Sequence, residues 1–211
     1  EEIALTGDEE ISWQLPSHVH PIYEVGVRLV TDGVVDLDWL TWDGEAQVTF
    51  DKRPGSMWRR AWVNGVDECW HWVEAFRLMQ NAGRGLFIQG NREWRNYSVR
   101  ADVTPHLANA AGIAARVQGM RRYYGLLLVP GKLRLVRVQH QEVVLAECDF
   151  AWNLGDTYQM ELNLDGEKLT GSVDGVVVTA ADTAFDCGGI ALVVEEGRSA
   201  THTVHVAPYP S

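Results

Sequence analysis

The 211-residue sequence predicts an all-β fold, an antiparallel β-sandwich with little helix. Three observations lead there. Short runs alternate apolar and polar residues, turn-forming dipeptides separate them, and they recur about every ten residues. One span has helical spacing, Val66–Gln80, through Val66, Trp70, Val73 and Phe76. Its second half, "FRLMQNAGRGLFIQG", reads equally well as two strands around an Asn-Ala-Gly-Arg-Gly turn, and the strand reading is preferred.

Taken in order, residues 1–45 contain three β segments, "ISWQLP", "IYEVGVRLV" and "GVVDLDWLTWDG", and composition shifts at "EAQVTFDKRPGSMWRRAW". Residues 1–45 are expected to be closing strands of a preceding β-sandwich or an N-terminal extension, with 46–211 forming the main sandwich. In "YSVRADVTP", Tyr97, Val99, Ala101 and Val103 share the core face, against Ser98, Arg100, Asp102 and Thr104. The same period puts Ile113, Ala115 and Val117 on one face of "AGIAARVQ", and Ala114, Arg116 and Gln118 on the other. "YYGLLLVP" runs to a Pro130–Gly131 turn and "KLRLVRVQ" returns from it. Further strands are "VVLAECDF", "YQMELNLDG", "KLTGSVDG", "VVVTA", "GGIALVVEE" and "THTVHVAP". Among them, Asp165–Gly166 and Asp174–Gly175 mark hairpins.

The totals exclude some functions. With 18 basic and 29 acidic residues the formal charge is −11, which disfavours nucleic acid and anionic membranes as partners. A local arginine pocket could still hold one small anion. No apolar run approaches the ~20 residues of a membrane span. Cys69, Cys148 and Cys187 are too few and too dispersed for a disulfide framework or a cysteine-rich zinc site; Cys148 reads as a small buried hydrophobe. The chain starts at Glu1 rather than methionine, so its native N-terminus is expected to have been removed.

Aromatic and basic residues concentrate in "RPGSMWRRAWVNGVDECWHW", "GNREWRNY" and "ARVQGMRRYYGLLL". A sugar offers C–H faces that stack on aromatic rings and hydroxyls that need both donors and acceptors. Tryptophan, tyrosine, arginine and glutamine supply these. Arg116 and Gln118 are the leading candidates because alternation puts both on the polar face; one of Arg121 and Arg122 is expected beside them. The opposing reading is that the tryptophans fill the core or cover sheet ends and the arginines are solvated.

Catalytic signals are sparse. The Glu-x-Asp-x-x-Glu string of laminarinase-like sandwiches does not occur. Asp36 and Asp38 share a face in the N-terminal segment, and the adjacent Glu195 and Glu196 point apart if extended. "HVH" (His18–His20) and "HTVH" (His202, His205) are short metal signals. Asp102, Asp182 and Glu195 are candidate ligands for a structural calcium at a sandwich edge.

From about Glu93 to Pro208 the order "REWRNYSVRADVTP", "AGIAARVQGMRRYYGLLL", "GKLRLVRV", "YQMELNLDGEKLTGSVDG", "GGIALVVEEG" resembles the jelly-roll sandwiches of concanavalin A-like lectins and glucanases, including laminin-G-like and sugar-binding modules. With "VDLDWLTWDG", "MWRRAWVNGVD" and "QNAGRGLFIQGNREW" it resembles more closely the C-terminal β-sandwich region of bacterial ADP-ribosylglycohydrolases. The helical catalytic domain of that family has no counterpart in these residues. The resemblance implies an accessory module of a parent hydrolase and a bacterial cytoplasmic setting. The wider lectin-like resemblance implies a carbohydrate ligand on the concave sheet at Arg116, Gln118 and Tyr124, with Trp58, Trp62 and Trp94 at the rim, and Arg121 is a further candidate contact. The expected function is therefore non-catalytic carbohydrate binding. The alternatives are a docking module of the parent hydrolase, or a glycosidase or lyase on the same fold.

Overall fold

The structure is a computed structural model describing residues 10–14, 24–42, 44–51, 55, 57–72 and 75–209. It bears out the all-β reading. Among the described residues are thirteen strands and one 3-10 turn, Met57–Ala61. In chain order the strands are β1 (Val48–Asp51), β2 (Val63–Gly65), β3 (Glu68–Trp72), β4 (Ala75–Gln89) and β5 (Tyr97–Leu107). There follow β6 (Ala110–Gly119), β7 (Arg122–Val129), β8 (Lys132–Gln139) and β9 (Gln141–Asp149). The last are β10 (Tyr158–Asp165), β11 (Lys168–Val173), β12 (Val176–Ala181) and β13 (Gly189–Pro208).

Every pairing is antiparallel, and the order is β12-β11-β10-β5-β13-β6-β7-β8-β9, with β4 and β1 also on β13. β13 belongs to both layers. Its first part, Gly189–Glu195, lies between β6 and β4; from Arg198 it pairs with β5, and Thr203–Val206 also pairs with β1. The sequence suggests two separate strands here, but the chain continues through a bulge at Glu196 and Gly197. The layers close over one core. Tyr124, Leu126, Leu128 and Leu135 of one face Tyr97, Val99, Leu162 and Leu169 of the other. Burying such side chains contributes about 1.5–3 kcal/mol each.

Turn chemistry sets the hairpins. Asp174 and Gly175 both have positive φ, 47° and 85°, as a two-residue type I′ loop requires, and join Val173 to its partner Val176. Pro130 with Gly131 (φ 74°) joins Val129 to Lys132.

Two expectations are corrected. "FRLMQNAGRGLFIQG" is not a hairpin but one strand, β4, with Asn81–Gly83 bulged between the pairs Gln80–Gly197 and Arg84–Glu195. Side chains hold the bulge: Asp67 accepts from the Asn81 backbone and amide, and the Gln80 amide donates to the Ala82 carbonyl. In 10–14 and 24–42, where β segments are expected, the described backbone forms no strand and every side chain is exposed, Val34 at 87% and Trp42 at 67%.

A second apolar cluster lies on the opposite face of the β4-β13-β6-β7-β8 layer: Leu86, Ala114, Tyr123, Leu127, Val136 and Val193. Arg84 on β4 is ion-paired with Glu142 on β9, although β13, β6, β7 and β8 lie between them in the sheet. The layer therefore coils strongly around this cluster. Arg84 also binds Glu195 at 2.6 Å and donates to the Tyr123 hydroxyl at 3.4 Å.

Candidate functional site

Strict alternation fails at Arg116. It has φ 46°, and pairing of β6 shifts there against both neighbours: Ala115 meets Tyr124 and the next pair with β7 is Gly119–Arg122. This bulge turns the Arg116 side chain inward, leaving 2% exposed. Its Nε donates to the Arg95 carbonyl (3.1 Å), Nη1 to the Phe185 carbonyl (2.9 Å) and Nη2 to Asn96 Oδ1 (3.3 Å). Its backbone N–H donates to the Tyr97 hydroxyl at 2.7 Å, and that hydroxyl in turn faces the Gly188 and Gly189 carbonyls. Burial pushes the Tyr97 phenol far above its ordinary value.

Gln118 and Tyr124 bind the same 182–188 loop. Gln118 donates to the Cys187 carbonyl (3.0 Å) and accepts from Arg122, whose guanidinium lies 5.0 Å from the Phe185 ring centre. Tyr124 donates to Asp182 (2.7 Å) and accepts from the Phe185 N–H (3.1 Å). Tyr123 and Tyr124 are both buried, one in each apolar cluster. Trp62 stacks on Phe87 at 4.5 Å, Trp58 meets Phe76 edge-on, and Trp94 packs edge-on against Tyr97. The three tryptophans are buried in the main core. Of the seven residues named from sequence, Arg121 alone is exposed.

Asp182 anchors the loop electrostatically. Oδ1 accepts from Tyr124 and the Ala184 N–H, and Oδ2 from Arg137 Nη1 at 2.6 Å. Burial opposes its ionisation, but these donors outweigh it and hold the carboxyl below its ordinary value; burial and Asp182 push Tyr124 up to about 12. A depressed folded-state value gives stability that is present above the unfolded value near pH 4 and lost as pH falls through the folded one. Asp182→Asn is expected to cost about 2 kcal/mol at neutral pH. It should also flatten this residue's part of the acid limb in denaturant titrations run across pH.

A different surface gathers exposed polar side chains. β11, β10, β5 and β13 present their outward residues along a groove of about 570 Å³. Register places Ser172, Glu161, Arg100 and His205 in one row across the four strands, and Thr49 of β1 continues it. A second row holds Asp174, Gln159 and Asp102, and Thr203 of β13 lines the same groove. Arg100 donates to Glu161 (3.0 Å), and Thr49 Oγ1 lies 3.0 Å from His205 Nδ1. The rows offer carboxylate acceptors, amide and guanidinium donors, and hydroxyls that do both, the complement of a polyol.

Alternation in β5 marks Arg100 and Asp102 as outward. Their assembly with β10, β11 and β13 depends on long-range register that no local pattern carries. Among the described residues no group of three or more His, Cys, Asp or Glu is placed to hold a metal. The calcium candidates are dispersed: Asp102 lies in the groove, Asp182 on Arg137, and Glu195 on Arg84. His18 and His20 lie outside the described residues, and no described helix is long and apolar enough to cross a membrane.

No family profile matches the sequence, and no curated protein matches it by sequence search. Solved structures do match the fold. Carbohydrate-binding module CBM66 from Bacillus subtilis aligns with a TM-score of 0.64 at 14% identity, covering 70% of this chain and 95% of that one. A Bacillus subtilis protein of unknown function with a galectin-like fold gives 0.56 at 12%, covering 71% and 90%. The alginate lyase AlgAT5, of polysaccharide lyase family 7, gives 0.52 at 12%, covering 71% and 95%. The chain therefore has the galectin-like, concanavalin A-like antiparallel β-sandwich fold.

Proposed function

We propose that this chain is a non-catalytic carbohydrate-binding module whose ligand lies along the groove of β11, β10, β5 and β13. The observation that supports it is the pair of polar rows led by Glu161–Arg100–His205 and Gln159–Asp102, open to solvent on the outer face of the sandwich. The similarity in fold to a carbohydrate-binding module adds to that reading. Arg116, Gln118, Tyr124 and the three tryptophans then serve as framework rather than as ligand contacts. The phrase-level resemblance to ADP-ribosylglycohydrolase C-terminal regions extends the proposal to an accessory role beside a hydrolase domain.

A glycan array probed with the purified chain tests it. Binding to one glycan class, weakened about tenfold or more in Arg100→Ala, is the expected result. Binding that Arg100→Ala leaves unchanged would overturn the groove as the site.

One observation favours a second reading, a docking module. Leu37, Trp39, Leu40 and Trp42 are each more than half exposed within one short segment. A blank array together with concentration-dependent association would favour it.

A further inference from the structure

We infer that the groove selects neutral glycans, gripped by their hydroxyl edges, and discriminates against uronates and sulfated sugars. This rests on the carbohydrate-binding reading and narrows it to a ligand class. The lining carries three carboxylates, Asp102, Glu161 and Asp174, against a single guanidinium, Arg100. Its charge is offset by Glu161, bound through Nη2 at 3.0 Å. His205 Nδ1 is engaged by Thr49. An anionic sugar would therefore meet net negative charge in the groove, on a chain whose formal charge is −11. A neutral sugar meets acceptors its hydroxyls can donate to, and charge-assisted bonds of this kind are the stronger ones.

Among the described residues the lining contains no tryptophan, tyrosine or phenylalanine. A ligand there cannot stack a ring face on tryptophan or tyrosine as the sequence suggests, so recognition falls to hydroxyls presented edge-on to the strands. Four strands span about 14 Å at ~4.8 Å spacing, room for a short oligosaccharide rather than a lone polar ion.

The test is an array carrying neutral oligosaccharides (gluco-, manno-, galacto-, xylo- and fructo-) beside alginate, polygalacturonate and sulfated oligomers, probed at low and high salt. Expected are neutral hits that salt leaves unchanged, weakened about tenfold or more in Glu161→Gln. Asp102→Asn provides a second variant, and both are checked for an unchanged melting temperature. Hits confined to acidic glycans, falling with salt and lost in Arg100→Ala, would overturn the ligand class while leaving the carbohydrate-binding reading intact. Neutral hits indifferent to both carboxylate variants would overturn the groove's part in selection. A blank array would remove the carbohydrate-binding reading itself and this inference with it.

Discussion

Replacing Arg116 with alanine is expected to destabilise the fold by about 4 kcal/mol and lower Tm by roughly 10 °C. The guanidinium is 2% exposed and holds two backbone carbonyls and Asn96, joining the entry to β5 and the 182–188 loop to β6. Truncation leaves these acceptors without their donor and opens a cavity between the layers. Burial pulls the Arg116 guanidinium below its ordinary value, so it is kept for its geometry and not for an easy charge. Arg116→Lys should therefore also lose stability, because a lysine cannot reproduce the fork of donors. Thermal and denaturant unfolding of both variants checks this. A variant as stable as wild type that had lost ligand binding would instead make Arg116 a contact residue.

The second large effect is expected at Gly197, where β13 passes from one layer to the other. Its φ is 156°, and an added Cβ would overlap the Leu107 carbonyl oxygen of β5. Gly197→Ala must push β13 away from β5 or break the bulge, and about 3 kcal/mol or more of destabilisation is expected. Gly33→Ala, with nothing within 4 Å of its Cβ, is the control and should stay within about 0.5 kcal/mol of wild type. Equal unfolding midpoints for the two variants would mean that the crossing does not need glycine.

Much of the fold is legible residue by residue. The inward Tyr97, Val99, Ala101 and Val103, and the turns at Pro130–Gly131 and Asp174–Gly175, follow from local chemistry and appear as read. What escapes a local reading is the bulge, because one extra residue inverts the face of everything beyond it. That is why Arg116, polar by alternation, is the largest fully buried side chain, and why the Asn81–Gly83 bulge reads as a hairpin turn. The arginine–tyrosine cluster is a brace for the 182–188 loop. Its composition is that of a sugar site, but the tyrosine rings and the Arg116 side chain are spent inside. The exposed polar rows are built from unremarked residues such as Gln159, Glu161 and Ser172, whose juxtaposition with Arg100 is set by pairing across some sixty to seventy residues of chain.

The most direct test of where ligand binds is a backbone amide NMR titration with whichever glycan the array returns. Shifts are expected to gather at Arg100–Asp102, Gln159–Glu161, Ser172–Asp174 and Thr203–His205. Shifts gathered instead at Arg95, Gln118–Arg122 and Asp186, with the groove silent, would contradict this and return the ligand to the arginine–tyrosine cluster.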